Sequence, residues 1–412
     1  MSEQPPATPT ISIVIVSRGR PESLGWCLTG IAGLFYANFE VVVVACPDGA
    51  AVARARMGER IKLVEFDEAN IAAARNLGIA QAAGEIVAFI DDDAVPEPTW
   101  LDHLVRAFED RGVAAAGGFV RGRNGISFQW KAREVDSCGR ATPLEVVDGV
   151  ARPGPGRVVK TEGTNMAVRR DILAALGGFD PGYRFYLDET DLNLRLAAAG
   201  HRTAIVPEAE VHHAYAASIR RRTDRAVTDL SDIGASTTYF LRRHCPEEDH
   251  AARRQEVFRE QQARVFGQMR KRMISRDAAG QLMEGLVQGF EEGLIRVLAP
   301  LAPLPEAQAP FRRFAPCPGP AVTLAGRPWQ AAALRREAAE RAKQGESVSL
   351  YIFSPTTLYH RVQFTNAGYW EQSGGLFGRS ERHGPLIRMV SFRRRLAQET
   401  ERTAGVRKLL TE

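Results

Sequence analysis

No apolar stretch of this 412-residue sequence approaches the ~20 residues that a membrane-spanning helix needs; the early apolar run, Ile11 to Val16, is strand length. Met1 to Thr10 is polar and proline-rich, so it lacks the charged-then-apolar order of a secretory signal. Cysteine is scarce. Cys27, Cys46, Cys138, Cys245 and Cys317 are the whole set, and no two are spaced as C-x-x-C. The spacing argues against a cysteine zinc module or dithiol redox motif and predicts free thiols in a reducing cytoplasm. Neither charge sign dominates, the net charge being +5. So mild a surplus suits an anionic substrate such as a nucleotide diphosphate, or an anionic membrane surface, and gives no argument for nucleic acid. With 44% apolar and 25% charged residues, the chain can build a buried core.

What is present first is a β-α-β rhythm. Ile11 to Val16, Phe39 to Ala45, Ile61 to Phe66 and Ile86 to Ile90 read as strands. A helix from Pro21 to about Leu34 and an Ala-rich helix from Ile71 to Ala83 fall among them, and Pro47-Asp48-Gly49 reads as the turn closing the second strand. The pattern predicts an α/β fold with a mostly parallel sheet and flanking helices, whose ligands bind at the carboxyl ends of the strands. The sheet domain is expected over 1–219, a helical extension over 220–299, a Pro-rich linker over 300–322 and a small C-terminal α/β segment over 323–412. The aromatics and glycines from Tyr369 to Gly378 read either as a sugar-stacking surface or as a small-domain core.

Three groups of residues could carry chemistry. Asp91-Asp92-Asp93 closes the fourth strand, and carboxylates two residues apart on extended chain can reach one hard cation, Mg²⁺ or Mn²⁺; a solvated acidic turn is the plain alternative. Asp188, Glu189 and Asp191 open a helix that Gly200 would end. There they either complement the helix dipole, with Asp191 paired to Arg195, or present a general base to an acceptor hydroxyl. In Val211-His212-His213 the two imidazoles point to opposite faces of a strand, so at most one can join a metal site. Arg18, Arg20 and Arg75 are diphosphate contacts or ordinary surface arginines.

In this order, Ile11 to Arg18, Asn70 to Gly78, the strand into Asp91-Asp92-Asp93, Glu162-Gly163-Thr164-Asn165, Gly177 to Asp180, Asp188 to Leu192 and Pro207 to Ser218 resemble the inverting glycosyltransferases of family 2, which have a GT-A fold. The resemblance covers roughly residues 10 to 220. It implies a nucleotide-sugar donor, a glycan or lipid-linked acceptor, Mn²⁺ or Mg²⁺ held by Asp91, Asp93 and His213, and single displacement with inversion. It also implies catalysis by Glu189 or Asp188, with Asp191 in the same acidic motif. Donor contacts are implied for Ser17 and Arg18, for Arg75 and Asn76, for Asp91 and Asp92, and for Asn165. Asp48 or Asp67 would replace the aspartate with which many relatives end the second strand, and the acidic motif reads Asp-Glu where Glu-Asp is usual. Family habit points to cell-surface polysaccharide or glycolipid synthesis. The expected location is cytoplasmic, with the inner face of the membrane as a peripheral option.

Beyond about residue 220 the Arg-rich helices have open roles: packing on the sheet domain, a homodimer surface, contact with an anionic membrane, or a solvated face. A sugar nucleotidyltransferase would need a longer Gly-rich, basic loop than Ser17 to Pro21, and an aspartyl phosphatase would need its acids after the first strand. A catalytically inactive nucleotide- or sugar-binding protein on the same scaffold has the altered end of the second strand as its support.

Overall fold

The computed structural model describes residues 8–147, 150–213, 220–316, 319–381 and 383–408. In chain order the first half contains β1 (Ile11–Ser17), α1 (Pro21–Ala32), β2 (Phe39–Ala45), α2 (Pro47–Met57), β3 (Lys62–Glu65), α3 (Ile71–Gln81), β4 (Ile86–Asp91), β5 (Ala94–Pro96), α4 (Trp100–Leu104), β6 (Val113–Arg121) and β7 (Phe128–Trp130). There follow β8 (Arg133–Asp136), β9 (Ala141–Pro143), β10 (Val146–Val147), β11 (Val150–Ala151), β12 (Arg157–Lys160), β13 (Met166–Arg169), α5 (Arg170–Ala175), α6 (Asp188–Ala198) and β14 (Arg202–His213).

The central sheet runs β3-β2-β1-β4-β13-β6-β14-β5, with β7 paired to the carboxyl end of β6 beyond its pairing with β13. β1 to β4, β6 and β14 point one way; β5, β7 and β13 run against them. The expected mostly parallel α/β sheet is therefore present. The apolar runs make it because both faces are covered. On β1, Ile11, Ile13 and Ile15 enter one core while Val14 and Val16 enter the other, and β4 divides Ile86, Ala88 and Ile90 from Val87 and Phe89 in the same way. One sequence expectation needs correction. Pro47-Asp48-Gly49 opens α2 instead of closing a turn, with Pro47 in the first turn where its missing N–H costs nothing.

The helical extension consists of α7 (Ser231–His244), α8 (His250–Arg270) and α9 (Arg276–Ile295). α7 and α9 cross closely enough that a Cβ on Gly289 would lie 2.1 Å from the Ser231 carbonyl oxygen. A disulfide joins Cys138, in the β8–β9 turn, to Cys245, just past α7. This corrects the expectation of free thiols: the fold brings the two together over a separation of 107 residues. Cys27 and Cys46 are buried and free, and Cys317 lies outside the described residues.

The Pro-rich stretch is a strap, not a free linker. Leu304 N–H donates to Ala174 O at 2.9 Å, Gln308 N–H to Ala80 O at 2.9 Å, and Phe314 N–H to Phe39 O at 2.7 Å. The chain ends in a unit with β15 (Ala321–Gly326), α10 (Ala331–Lys343), β16 (Ser347–Ser354), β17 (Arg361–Phe364), β18 (Trp370–Gly375) and α11 (Phe392–Arg407), its sheet ordered β15-β16-β18-β17. Tyr369 and Trp370 are buried there, Trp370 against Phe364 and His212, so the sugar-stacking reading of this segment is replaced by the core reading. Among the described residues no helix is long and apolar enough to cross a membrane.

Candidate active site

A cleft of about 840 Å³ opens at the carboxyl ends of β1 and β4. The ends of β4 and β14 create its acidic floor. His213 is paired in register with Ala94, and Asp91 ends β4. The crossover from β4 to β5 thus brings Asp91 and Asp93 to His213, with ligand atoms of all three within 4.8 Å of one another. His213 Nε2 lies 3.1 Å from Asp93 Oδ1, its Nδ1 lies 3.0 Å from Gln129 Oε1, and its ring stacks on Trp130. Asp92 turns the other way and is fully buried. Ser17 Oγ donates to it at 2.6 Å, and Arg20 pairs with both Asp92, at 2.5 Å, and Asp93, at 3.3 Å. Burial pushes the Asp92 carboxyl up to about 7 even against Arg20.

The donor set of one imidazole and two carboxylates suits a hard divalent cation. Two other groups of potential ligands fit no metal. Glu97 and Glu210 lie near His212, but Arg407 takes both oxygens of Glu97 and Arg121 both oxygens of Glu210. Asp249 faces Cys138 and Cys245, whose sulfurs are bonded to each other. The adjacent histidines do point apart: His212 Nε2 reaches Glu97 at 2.8 Å, away from the cleft floor.

The opposite wall comes from the start of α6. Tyr186 and Leu187 hold φ of +73° and +68°, a left-handed conformation that costs bulky side chains of order 1–3 kcal/mol each and that sets up the turn into Asp188. Arg75, buried on α3, pairs with Asp188 and reaches Asp91 at 3.4 Å. One guanidinium therefore spans the metal-type cluster and the acidic motif. Gly163 makes room for it, since a Cβ there would stand 2.5 Å from Arg75 Nη2. Lys160 Nζ bridges Glu162, at 2.8 Å, and Glu189, at 3.2 Å. Burial raises the Glu189 carboxyl, but Lys160 and Arg75 outweigh it and hold it below its ordinary value. For Asp188 burial wins, pushing the carboxyl up to about 7.

The remaining expected residues divide. Ser17, Arg18, Arg75, Asp91, Asp93, Asp188, Glu189 and His213 line the cleft. Asp67 is exposed and bonded to Arg18 at 3.0 Å. Asp48 is exposed in the first turn of α2, off the cleft. Asn76 is occupied by both backbone groups of Phe179, and Asn165 by Trp100 Nε1 and the carbonyls of Phe119 and Ala209. Asp191 is fully buried between Arg195 and His244, so it ties α6 to α7. Asp92, Asn76, Asn165 and Asp191 all hold structure. Sequence reading missed Lys160, Gln129, Trp130 and the α8 residues Arg253, Glu256 and Glu260, which form a further wall. Only the spacing of Arg253, Glu256 and Glu260 along one helix face signals the last group, and that pattern equally fits a solvated face.

A family model described as "Glycosyltransferase like family 2" matches residues 7–263. The chain is 27% identical over 239 residues to "O-antigen biosynthesis protein RfbC" of Myxococcus xanthus, a match covering 53% of this chain and 18% of that protein. It is 25% identical over 179 residues to "Glycosyltransferase AglE" of Haloferax volcanii, covering 42% and 56% respectively. The chain thus spans less than two thirds of the length of either relative. A solved structure of GalNAc-T7 with UDP, GalNAc and Mn²⁺ aligns with a TM-score of 0.44 at 17% identity, over 58% of this chain and 48% of that one. The match over residues 7–263, which takes in the acidic cluster, the α6 carboxylates and the α8 wall, establishes that this chain belongs to the family-2-like glycosyltransferases.

Proposed function

We propose that this glycosyltransferase moves a sugar from a nucleotide-diphosphate sugar to a hydroxyl of a glycan or lipid-linked acceptor, with inversion at the anomeric carbon. Glu189 serves as general base, and Mn²⁺ or Mg²⁺ is held by Asp91, Asp93 and His213. The observation that carries the reading is the Arg75 bridge, which fixes a metal-type cluster and a carboxylate pair on facing walls of one cleft. When bound, the cation supplies positive charge for the diphosphate oxygens. Arg18, which lines the cleft and is partly exposed, contacts the nucleotide portion of the donor in this reading.

Glu189 is chosen over Asp188 on access and charge. Its side chain is 19% exposed against 4% for Asp188, whose oxygen is committed to Arg75. The ionised Glu189 takes the acceptor proton while the acceptor oxygen bonds to the anomeric carbon. The bond from that carbon to the diphosphate breaks, and its electron pair leaves on the diphosphate oxygen. Lys160, against both Glu162 and Glu189, holds the base in place before and after it is protonated. The names of the relatives, one concerned with O-antigen, support a role in surface polysaccharide synthesis.

The test is turnover across UDP-, GDP- and dTDP-sugars with Mn²⁺ or Mg²⁺, comparing wild type with Asp93→Ala and Glu189→Gln. Metal-dependent release of one nucleoside diphosphate, lost in both variants, is the expected result. Nucleotide binding without turnover for any donor, with pooled glycan and lipid acceptors present, would favour an inactive binding protein.

A further inference from the structure

We propose that the C-terminal α/β unit docks this protein on an anionic bilayer surface through the carboxyl end of its small sheet. The inference does not depend on the reaction proposed above. β15, β16 and β18 are parallel, so their carboxyl ends share one edge. Trp329 follows β15, Leu358 and Tyr359 follow β16, and Leu386, Ile387 and Met389 lie between β18 and α11. These six side chains are 59% to 83% exposed, and among the described residues after 320 they are the exposed large apolar ones.

Backbone contacts knit the segments together. Gly375 N–H donates to Leu358 O at 2.9 Å, His360 N–H to Arg379 O at 2.9 Å, and Arg388 N–H to Phe377 O at 3.0 Å. Phe377, Val390 and Phe392 turn inward onto Tyr351 and Phe353, which sends Leu386, Ile387 and Met389 outward. The opposite end of the unit is already used, because Trp370 at the start of β18 and Arg407 at the end of α11 pack on the sheet domain through His212 and Glu97. The apolar end therefore faces away from the attachment.

Charge identifies the occupant. Exposed Arg393 and Arg394, in the first turn of α11 just past Met389, make no ion pair among the described residues, whereas Glu381 is the one exposed acid described in the segments that form this end. Apolar tips flanked by paired arginines suit acyl chains beneath anionic headgroups, with long basic stems reaching up to the phosphates. Tryptophan and tyrosine are the aromatics that settle at such an interface. A second copy presenting the same positive end would be repelled.

The experiment is cosedimentation of the full chain with vesicles of phosphatidylcholine alone or mixed with phosphatidylglycerol. The variants are Ile387→Asp/Met389→Asp, Arg393→Glu/Arg394→Glu and, as a control on the exposed face of α8, Phe266→Asp. The expected result is at least tenfold more binding to the anionic vesicles, cut at least tenfold by either double variant and left unchanged by Phe266→Asp. Quenching of tryptophan fluorescence by brominated anionic lipid, lost in Trp329→Phe, reads the same contact without the double variants should these fail to fold. Absence of anionic binding, equal binding to neutral vesicles, or loss only with Phe266→Asp would each overturn the proposal. So would vesicle-inert protein whose double variants convert a dimer to a monomer in size-exclusion chromatography.

Discussion

Burial pushes the Asp188 carboxyl up to about 7 against the pull of Arg75, while Lys160 and Arg75 hold neighbouring Glu189 below its ordinary range. The two carboxyls therefore predict different pH profiles. A base must be ionised, and a carboxyl held below its usual ~4.3 stays ionised throughout the neutral range. With Glu189 as base, kcat shows no acidic limb between pH 8 and 6 from this group, and Glu189→Gln loses about 10²–10⁴-fold in kcat with donor binding retained. A rate falling tenfold per pH unit below about 7 would transfer the role to Asp188. Arg75 makes a separate prediction. Arg75→Met leaves Asp188 buried without its partner, at a cost of about 3–5 kcal/mol, measurable as a lower denaturation midpoint at neutral pH. At this scale the sequence was partly legible. Asp91, Asp93, His213 and the Asp188-Glu189 pair stand in recognisable order, but nothing local says that Asp92, Asn76, Asn165 and Asp191 spend their polar atoms on scaffold contacts many residues away.

At the level of elements, β1, β2 and β4 could be read directly because strands covered on both faces are continuous apolar runs. α2 could not. Its alanines and arginines form no apolar stripe, and Pro-Asp-Gly is turn chemistry as well as helix-start chemistry. β5 and β7 are three residues each, too short for an alternation to show, yet β5 delivers Asp93 to His213. The α8 wall was illegible for another reason: its charged face looks solvated until α8 is laid against Arg140, which pairs with Glu256 at 2.8 Å. The Cys138–Cys245 bond holds that wall, since Arg253 Nε donates to Cys138 O at 3.2 Å. The double variant Cys138→Ser/Cys245→Ser should lose about 2–5 kcal/mol, with reductant ceasing to affect its unfolding midpoint. Gly163→Ala should keep the fold while displacing Arg75, seen as a drop in kcat with the thermal midpoint shifted far less than by Arg75→Met.

For the whole molecule the decisive contact joins the first sheet to the last helix. Glu97 and Arg407 are both buried and bonded twice at 2.8 Å, and Arg407 also lies over Trp370. Burial alone would raise the Glu97 carboxyl, but Arg407 and His212 outweigh it and depress it strongly. A depressed carboxyl adds stability that is complete above its unfolded value of ~4.3 and lost as pH falls toward the folded one. Acid titration should therefore loosen the C-terminal unit below about pH 4, followed by near-ultraviolet circular dichroism of Trp370. In Arg407→Ala that acid-dependent part should be absent, the protein being already about 3–5 kcal/mol weaker at neutral pH. The same contact bears on how the chain is made. Glu97, which follows directly on β5, waits for a partner 310 residues later, and at ~5–20 residues per second that is roughly 15–60 s of synthesis. Until Arg407 leaves the ribosome, Glu97 has His212 beside it but not the guanidinium that takes both its oxygens, so the turn that follows β5 completes its packing only after α11 has been made.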